Sequence, residues 1–225
     1  MSVRSRDSGK GNSKKGGKKS SKSSGWFERH VGDAHVRRAQ EEGYRSRASY
    51  KLAEIDKRDG LIRRGATVLE LGAAPGGWTQ YVVEQAGQSG KVVASDLLEM
   101  DSIAGVDFVC GDFTEQETAD RIEHVLGPDG ADVVLSDMAP NLTGVASTDQ
   151  ARSMALAELA LDMAGSVLKP GGAFVVKVFQ GEGFDAFVVA LRSQFKQVKV
   201  RKPEASRSRS REVYLVATDC HRVPA

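Results

Sequence analysis

Three charged residues of this sequence interrupt or flank apolar stretches in a way that could serve proton chemistry. Lys177 interrupts the apolar stretch 173–179, and a lysine there is costly unless it is paired or reaches a cleft. Asp137 directly follows one apolar stretch, and Glu212 directly precedes another. If the latter is a final antiparallel strand, the three side chains converge on one cleft, where they can orient a hydroxyl and take its proton. The alternative is a purely structural lysine–carboxylate network.

The segment 71–78 indicates a ligand site of a different kind. It reads Leu-Gly-Ala-Ala-Pro-Gly-Gly-Trp, and its small residues let a backbone approach a ligand in a space that any large side chain would fill. Its glycine spacing fits neither the dinucleotide fingerprint nor the Walker loop. Asp96, 24 residues after Gly72, stands where an acid receives ribose hydroxyls, and Asp112 could accept from an adenine amino group. Each acid alone is more often a helix cap, but together with the turn they favour S-adenosylmethionine.

These side chains need a sheet that brings them together. Apolar, β-branched stretches predict strands at 67–71, 92–95, 107–110, 132–136, 173–179, 198–201 and 213–216. Helical patterns lie between them, at 48–55, 77–85, 115–125, 149–168 and 185–195, and a turn is expected at 169–172. This alternation predicts an α/β fold with a mostly parallel sheet and helices on both faces. Ligands of such a sheet bind outside the carboxyl ends of its strands, which is where the acids stand.

Charge divides the chain unevenly. Residues 1–25 carry eight Lys or Arg and a single Asp, a charge of +7 against +2 for the whole chain. Because they also lack large apolar residues, we expect a disordered basic arm, which could hold the phosphates of a nucleic acid or simply aid solubility. The remaining residues, 26–225, are enough for one core and predict a single domain.

Cysteine content and hydropathy limit the metal and membrane functions. Cys110 and Cys220 are too few and too far apart for a zinc cluster, so no metal is expected. The sequence shows neither a secretory signal nor an apolar run near about 18 residues. These features favour a cytoplasmic protein without a membrane partner, and we expect it to be a monomer.

Six blocks of residues, spread through nearly the whole chain after the arm, match one known pattern when taken in order. They are 45–52, 71–78, 95–98, 136–141, 176–185 and 208–214. Together they closely resemble the FtsJ family, and within it the bacterial enzymes of the large ribosomal subunit. The resemblance implies a Rossmann-like sheet of seven strands with the last antiparallel, S-adenosylmethionine as donor, and the ribose 2′-hydroxyl of a uridine in 23S ribosomal RNA as acceptor.

The resemblance also implies roles for individual residues. The Lys-Asp-Lys-Glu catalytic set of the family falls on Lys51, Asp137, Lys177 and Glu212. Its cofactor positions fall on Gly76, Trp78, Asp96, Asp112 and again Asp137. One departure is Glu70, where the family usually has Asp; a glutamate can still serve the methionine end of the cofactor. The other departure is the long basic arm.

Direct in-line methyl transfer is the mechanism we expect, with the protein fixing the geometry and removing the hydroxyl proton. Lys177 is our first choice as proton acceptor; if it stays charged, it orients the hydroxyl and Asp137 takes the proton. We also expect a set of phosphate contacts flanking the cleft, of which fewer than half bind RNA. The candidates are Arg37, Arg38, Arg45, Arg47, Arg63, Arg64, Lys199, Arg201, Lys202, Arg207, Arg209 and Arg211.

Three other functions remain open at this point. A nicotinamide-dependent oxidoreductase would need a glycine turn suited to pyrophosphate, which the segment 71–78 does not match. A non-catalytic factor in ribosome assembly would bind RNA without transferring a methyl group. A relative that methylates transfer RNA riboses would share the catalytic set and differ only in its substrate.

Overall fold

The computed structural model describes residues 34–206 and 210–221. The predicted arm at 1–25 and the start of the predicted domain at 26 lie outside the described residues, as do Arg207 and Arg209. None of the described helices is both long and apolar enough to cross a membrane. In chain order the elements are α1 (Ala34–Glu41), α2 (Ala48–Asp59), β1 (Thr67–Leu71), α3 (Gly77–Ala86), β2 (Lys91–Asp96), β3 (Val106–Cys110), α4 (Gln116–Leu126), β4 (Ala131–Ser136), α5 (Ala146–Val167), β5 (Leu168–Phe179), α6 (Phe184–Gln194), β6 (Phe195–Arg201) and β7 (Glu212–Cys220).

The strands of the described residues form one sheet in the order β3-β2-β1-β4-β5-β7-β6. The first five pair in parallel, whereas β7 runs antiparallel to both β5 and β6. The prediction of a mostly parallel, seven-stranded sheet with an antiparallel last strand is confirmed. Glu212, the first residue of β7, lies opposite Phe179, the last residue of β5. The start of β7 therefore lies at the carboxyl edge of its parallel neighbours.

Helices cover both faces of the sheet, because successive residues of each strand point to opposite sides. Val68 of β1 belongs to a buried cluster with Leu52 of α2 on one face. Leu69, the next residue, belongs to a second cluster with Ile122 of α4 and Leu161 of α5 on the other face. The face covered by α2 and α3 also carries the charged site described below.

Three stretches differ from the predictions. The sequence pattern predicted no helix at α1. Among the described side chains of this helix only Ala39 is buried, so the segment has no apolar face that a sequence pattern could show. The expected turn at 169–172 is part of β5, in which Leu168 already pairs with β4 before a bulge shifts the register. Phe195 was expected to end a helix but begins β6, where its ring stacks on Phe174 at 6.3 Å.

Candidate active site

Two ion pairs lie together at the carboxyl edge of the sheet. Lys177 Nζ lies 3.0 Å from Asp137 Oδ1 and also donates to the backbone carbonyl of Asp137. Lys51 Nζ lies 2.7 Å from Glu212 Oε1, which also accepts from Ser206 Oγ at 2.9 Å. The structure therefore brings together all four residues to which the family resemblance gave a catalytic role.

The register of the sheet explains why these side chains meet. Lys177 of β5 lies directly opposite Tyr214 of β7, and opposed residues point to the same face. Glu212 lies two residues before Tyr214 and so shares that face. Asp137 directly follows β4, the parallel neighbour of β5. Lys51 comes from the first turn of α2, which covers this face.

Tyr214 is a member of the site that sequence reasoning missed. Its hydroxyl lies 2.7 Å from Asp137 Oδ1 and 3.2 Å from Lys51 Nζ, so one oxygen touches both ion pairs. The residue is fully buried, and its ring is tilted against that of Trp78 at a centroid distance of 5.7 Å. The signal that could have found it is its position two residues after Glu212, on the same face of one strand.

The site is largely withdrawn from water, and this shifts the protonation of its members. The side chains of Lys177 and Asp137 are 9% and 18% exposed, and those of Lys51 and Glu212 are 10% and 13% exposed. Burial raises the pKa of Glu212, but the ammonium groups of Lys51 and Lys177 and the hydroxyl of Ser206 lower it by more. The pKa of Glu212 therefore lies below its ordinary value. Burial and the neighbouring carboxylates hold the pKa of Tyr214 well above its ordinary value. At neutral pH Glu212 is therefore ionised and Tyr214 is protonated.

The carboxylate of Asp96 holds the turn between β1 and α3. Gly72 and Gly76 both have positive φ, 77° and 103°, a conformation that favours glycine. Asp96, at the end of β2, accepts from Ala74 N at 2.9 Å through Oδ2 and from Leu98 N at 2.8 Å through Oδ1. Since each carboxylate oxygen has a further lone pair, Asp96 can shape the turn and still accept from a ligand.

Asp112 lies at the same edge, shortly after β3. Its Oδ1 accepts from the backbone N and the hydroxyl of Thr114 at 2.9 and 2.7 Å, and no donor within the described part of the chain reaches its Oδ2. Gly111 N donates to the carbonyl of Asp96 at 2.9 Å, which ties the two strand ends together. Asp96 and Asp112, two of the three acids predicted to bind the cofactor, thus stand at adjacent strand ends, as expected.

Packing changes the interpretation of two other predicted cofactor residues. A Cβ on Gly76 would lie 2.8 Å from Ile103 Cδ1 and 3.1 Å from Arg45 Nη1, so side chains of the protein occupy the space expected to stay open there. The indole of Trp78 is buried and donates to the carbonyl of Ala48 at 2.7 Å. Any contact from Gly76 or Trp78 to a ligand would therefore come from the backbone at the start of α3.

Arg45 holds two loops together at this end of the site. Its guanidinium donates to the carbonyl oxygens of Pro75, Asp101 and Ser102 at 3.2, 2.6 and 3.0 Å. The same side chain borders a cavity of about 490 Å³ between these loops. Because three of its five N–H donors go to backbone carbonyls, Arg45 serves the shape of the site, and its expected contact to phosphate stays a prediction.

Comparison with known proteins places this geometry in a family. A family model of FtsJ-like methyltransferases matches residues 44–220. The chain belongs to the FtsJ-like methyltransferase family. The resemblance read from the six sequence blocks is thereby confirmed.

Relatives of this FtsJ-like methyltransferase cover nearly all of its length. Ribosomal RNA large subunit methyltransferase E of Marinobacter nauticus is 58% identical over 199 residues, 88% of this chain and 96% of the relative. The protein of the same name from Chromohalobacter salexigens is 55% identical over 202 residues, 90% and 96% of the two chains. A crystal structure of a ribosomal RNA methyltransferase from Plasmodium falciparum matches with a TM-score of 0.73 at 27% identity, covering 80% of this chain and 100% of that one.

Several basic side chains of this FtsJ-like methyltransferase that were candidates for phosphate contacts are bound by the protein itself. Arg38 pairs with Glu42 at 2.8 Å, and Arg201 pairs with Asp59 at 2.6 Å. Lys202 Nζ donates to two backbone carbonyls near the start of β7. The expectation that fewer than half of the candidates serve RNA stays a prediction.

Arg63 and Arg64 lie at the opposite edge of the sheet from the ion pairs. They precede β1 and line a cavity of about 610 Å³ together with Lys169 and Gly171 at the amino ends of the parallel strands. The prediction that these two arginines flank the cleft is wrong. The reason is that the chain crosses the sheet between Lys51, at the carboxyl edge, and the beginning of β1 at the amino edge.

Glu70 of β1 is buried beneath the same face. Its side chain is 2% exposed and accepts from Thr79 Oγ1 at 2.7 Å. Burial raises the pKa of Glu70 to about 8, and the charges of Asp137 and Asp96 raise it further against the lowering effect of Thr79. Folded Glu70 is therefore mostly protonated at neutral pH. Its role toward the methionine end of a cofactor stays a prediction.

The raised pKa of Glu70 predicts that stability falls as pH rises. The unfolded chain loses this proton near the ordinary value of 4.5, whereas the folded chain keeps it to about 8. The stabilisation that comes from this proton is thus complete below pH 4.5, and it decreases by at most about 1.4 kcal/mol per pH unit up to about pH 8. We expect the Glu70→Gln variant, which can still accept from Thr79, to lack this loss in urea unfolding across that range. Parallel stability profiles of variant and wild type would contradict the assignment.

Proposed function

We propose that this chain transfers a methyl group from S-adenosylmethionine to the ribose 2′-hydroxyl of a uridine in 23S ribosomal RNA of the large ribosomal subunit. The observation that carries the proposal is the Lys177–Asp137 pair, largely withdrawn from water at the carboxyl edge of the sheet. Family membership supports methyl transfer as the reaction. The relatives named for the large ribosomal subunit, 58% and 55% identical to this chain, support this choice of RNA.

The residues around the glycine turn fit S-adenosylmethionine. Its ribose hydroxyls and adenine amino group need acceptors, and Asp96 and Asp112 offer carboxylate oxygens at adjacent strand ends. A Cβ on Gly72 would collide with Met138, the residue after Asp137, so the turn and this acid are close neighbours. When bound, the donor supplies an electrophilic methyl group on a positively charged sulfur, which the carboxylate of Asp137 can balance.

Lys177 is placed to handle the proton of the ribose hydroxyl. Two acceptors of Asp137, its backbone carbonyl and Oδ1, lie around the Lys177 ammonium, which leaves the third position on Nζ for substrate. In the neutral amine this position is a lone pair, and Lys177 takes the hydroxyl proton as the ribose oxygen forms its bond to the methyl carbon. The products are a methyl ether, a neutral thioether and a protonated Lys177, whose charge Asp137 balances.

Asp137 offers a second route for the same proton. Its Oδ1 is used by Lys177 and Tyr214, whereas its Oδ2 accepts no hydrogen bond within residues 34–206 and 210–221. If Lys177 stays charged, its third N–H orients the ribose oxygen and Asp137 Oδ2 takes the proton. Both routes need the same pair in the same geometry, and both balance one proton for each methyl group transferred.

Two rival functions are less well supported. A non-catalytic RNA-binding factor would have no use for two buried ion pairs beside a ligand turn, and such pairs are costly to maintain. A transfer RNA methyltransferase would share the chemistry, but the named relatives favour ribosomal RNA. The monomeric state and the cytoplasmic location expected from the sequence stay predictions.

The proposal is tested by methyl transfer from a deuterated donor onto large ribosomal subunits from a strain that lacks this protein. We expect nucleoside mass spectrometry to find one 2′-O-methyluridine that carries the deuterated methyl group. Transfer RNA and subunits from the parent strain are the controls and should stay unlabelled. Label on a base, label on transfer RNA, or the absence of label would contradict the proposal.

A further inference from the structure

We propose that Tyr214 is a positioning residue for methyl transfer, whose hydroxyl joins the Lys51–Glu212 pair to the Asp137–Lys177 pair and fixes the Asp137 carboxylate. This inference rests on the proposed function and deepens it, because it says how Lys51 and Glu212 influence a reaction that they do not touch. Neither residue forms a hydrogen bond or ion pair with Lys177 or Asp137 in the described part of the chain, whereas the hydroxyl of Tyr214 is hydrogen-bonded to Lys51 of one pair and Asp137 of the other.

The hydrogen atoms of this junction can be assigned from the chemistry of its members. The Lys51 ammonium has only donors, so at 3.2 Å it donates to the oxygen of Tyr214. The hydroxyl hydrogen of Tyr214 is then directed to Asp137 Oδ1 at 2.7 Å. The chain of donors therefore runs one way, from Lys51 through Tyr214 to Asp137, and each bond strengthens the next in a site with little water.

This arrangement restricts how the Asp137 carboxylate can turn. Its Oδ1 receives Tyr214 at 2.7 Å and Lys177 at 3.0 Å, and two donors on one oxygen hold the plane of the group. The other oxygen, Oδ2, accepts nothing from residues 34–206 and 210–221 and remains for the substrate or the donor. Without the tyrosine hydroxyl, Asp137 would have Lys177 as its remaining side-chain partner and could rotate with it.

The surroundings of Tyr214 indicate that the hydroxyl serves this contact and is not needed to fill the core. The side chain is fully buried among apolar residues, and its ring packs against Trp78. A phenylalanine would fill the same volume without a polar atom that requires partners. Burial also holds the pKa of Tyr214 far above neutrality, so the hydroxyl stays a donor throughout the pH range of an assay.

The experiment compares two variants that each lose one tyrosine hydroxyl bound to a carboxylate. Tyr214→Phe removes the bond to Asp137, and the control Tyr81→Phe removes a bond of 2.9 Å to Asp56, outside the site. With large subunits as substrate, we expect Tyr214→Phe to lower kcat by about 10- to 100-fold, as for other supporting hydrogen-bond partners. Its KM for subunits and its donor affinity should stay within about threefold, and Tyr81→Phe should keep kcat within about twofold.

A double-variant measurement separates positioning from a general loss of structure. If Lys51 acts through Tyr214, Lys51→Met lowers kcat in the wild type but by less than about twofold in the Tyr214→Phe background. Independent, multiplying losses would overturn the proposal, as would an unchanged kcat in Tyr214→Phe. 4-Fluorophenylalanine at position 214 keeps the ring packing and places a fluorine, which cannot donate a hydrogen bond, where the hydroxyl was; if Tyr214→Phe does not fold, an unchanged kcat with this residue also overturns the proposal. Failure of wild-type transfer itself would instead refute the proposed function.

Discussion

Replacing Lys177 with alanine lowers kcat for methyl transfer by about 10²- to 10⁴-fold, the range for loss of a group that handles the reacting proton. The donor affinity should change little, because Lys177 is not among the predicted contacts to the donor, which come from the acids at the ends of β2, β3 and β4. The physical reason is that Lys177 is the amine that pairs with Asp137 at 3.0 Å, in surroundings largely withdrawn from water. Single-turnover transfer and equilibrium binding of the donor, measured on the same preparation, check both parts of this prediction.

The chain offers a matched control on the same strand. Lys169 also belongs to β5 and also lies 3.0 Å from a carboxylate, that of Asp132, but at the amino edge of the sheet. Lys169→Ala therefore removes an ion pair of the same length, though a more exposed one, without touching the site, and its kcat should stay within about twofold of wild type. Near-normal transfer by Lys177→Ala with the donor bound would remove Lys177 from any essential role.

Replacing Lys51 with methionine lowers the free energy of unfolding by about 3 kcal/mol, because it leaves the Glu212 carboxylate buried without its cation. The two side chains are only 10% and 13% exposed, and Ser206 is then the remaining side-chain donor to Glu212 Oε1. The double variant with Glu212→Gln removes the stranded charge and should recover part of the loss. Urea unfolding of the wild type, both single variants and the double variant measures this coupling.

An exposed ion pair of similar length is the control for this cycle. Arg38 and Glu42 lie 2.8 Å apart, with side chains 60% and 41% exposed, and Arg38→Met should cost no more than about 1 kcal/mol. The Lys51–Glu212 contribution should also disappear in acid, because Glu212 has a lowered pKa and the pair is lost as the pH falls through it. Additive costs in the Lys51–Glu212 cycle would contradict the assignment.

The positions that could be read from the sequence are those that strand order alone determines. Asp96, Asp112 and Asp137 follow apolar runs, and the carboxyl ends of parallel strands meet at one edge. Lys177 stood out because a cation within an apolar strand needs a partner. Glu212 required one further assumption, an antiparallel last strand, which the sheet confirms.

The positions that could not be read depend on packing between distant segments. Lys51 was named through the family resemblance alone, since nothing local in α2 indicates that it pairs with a residue 161 positions away. Tyr214 was not predicted as a site residue, because an aromatic residue is ordinary in a buried strand. The role of its hydroxyl follows from its contacts with Lys51 and Asp137, which the sequence does not show. Gly76 shows a related limit: a glycine indicates that space is needed, but Arg45 and Ile103 use that space.

The most direct test of this account is a crystal structure with a non-reactive amine analogue of S-adenosylmethionine bound. The account predicts that the analogue lies along the Gly72 turn, with its adenosine at Asp96 and Asp112. The amine that replaces the methyl group should point to the space beside Lys177 and Asp137, leaving room for an attacking oxygen roughly 3–3.5 Å away. An analogue in the amino-edge cavity near Arg63, or one whose amine points away from the Lys177–Asp137 pair, would contradict it.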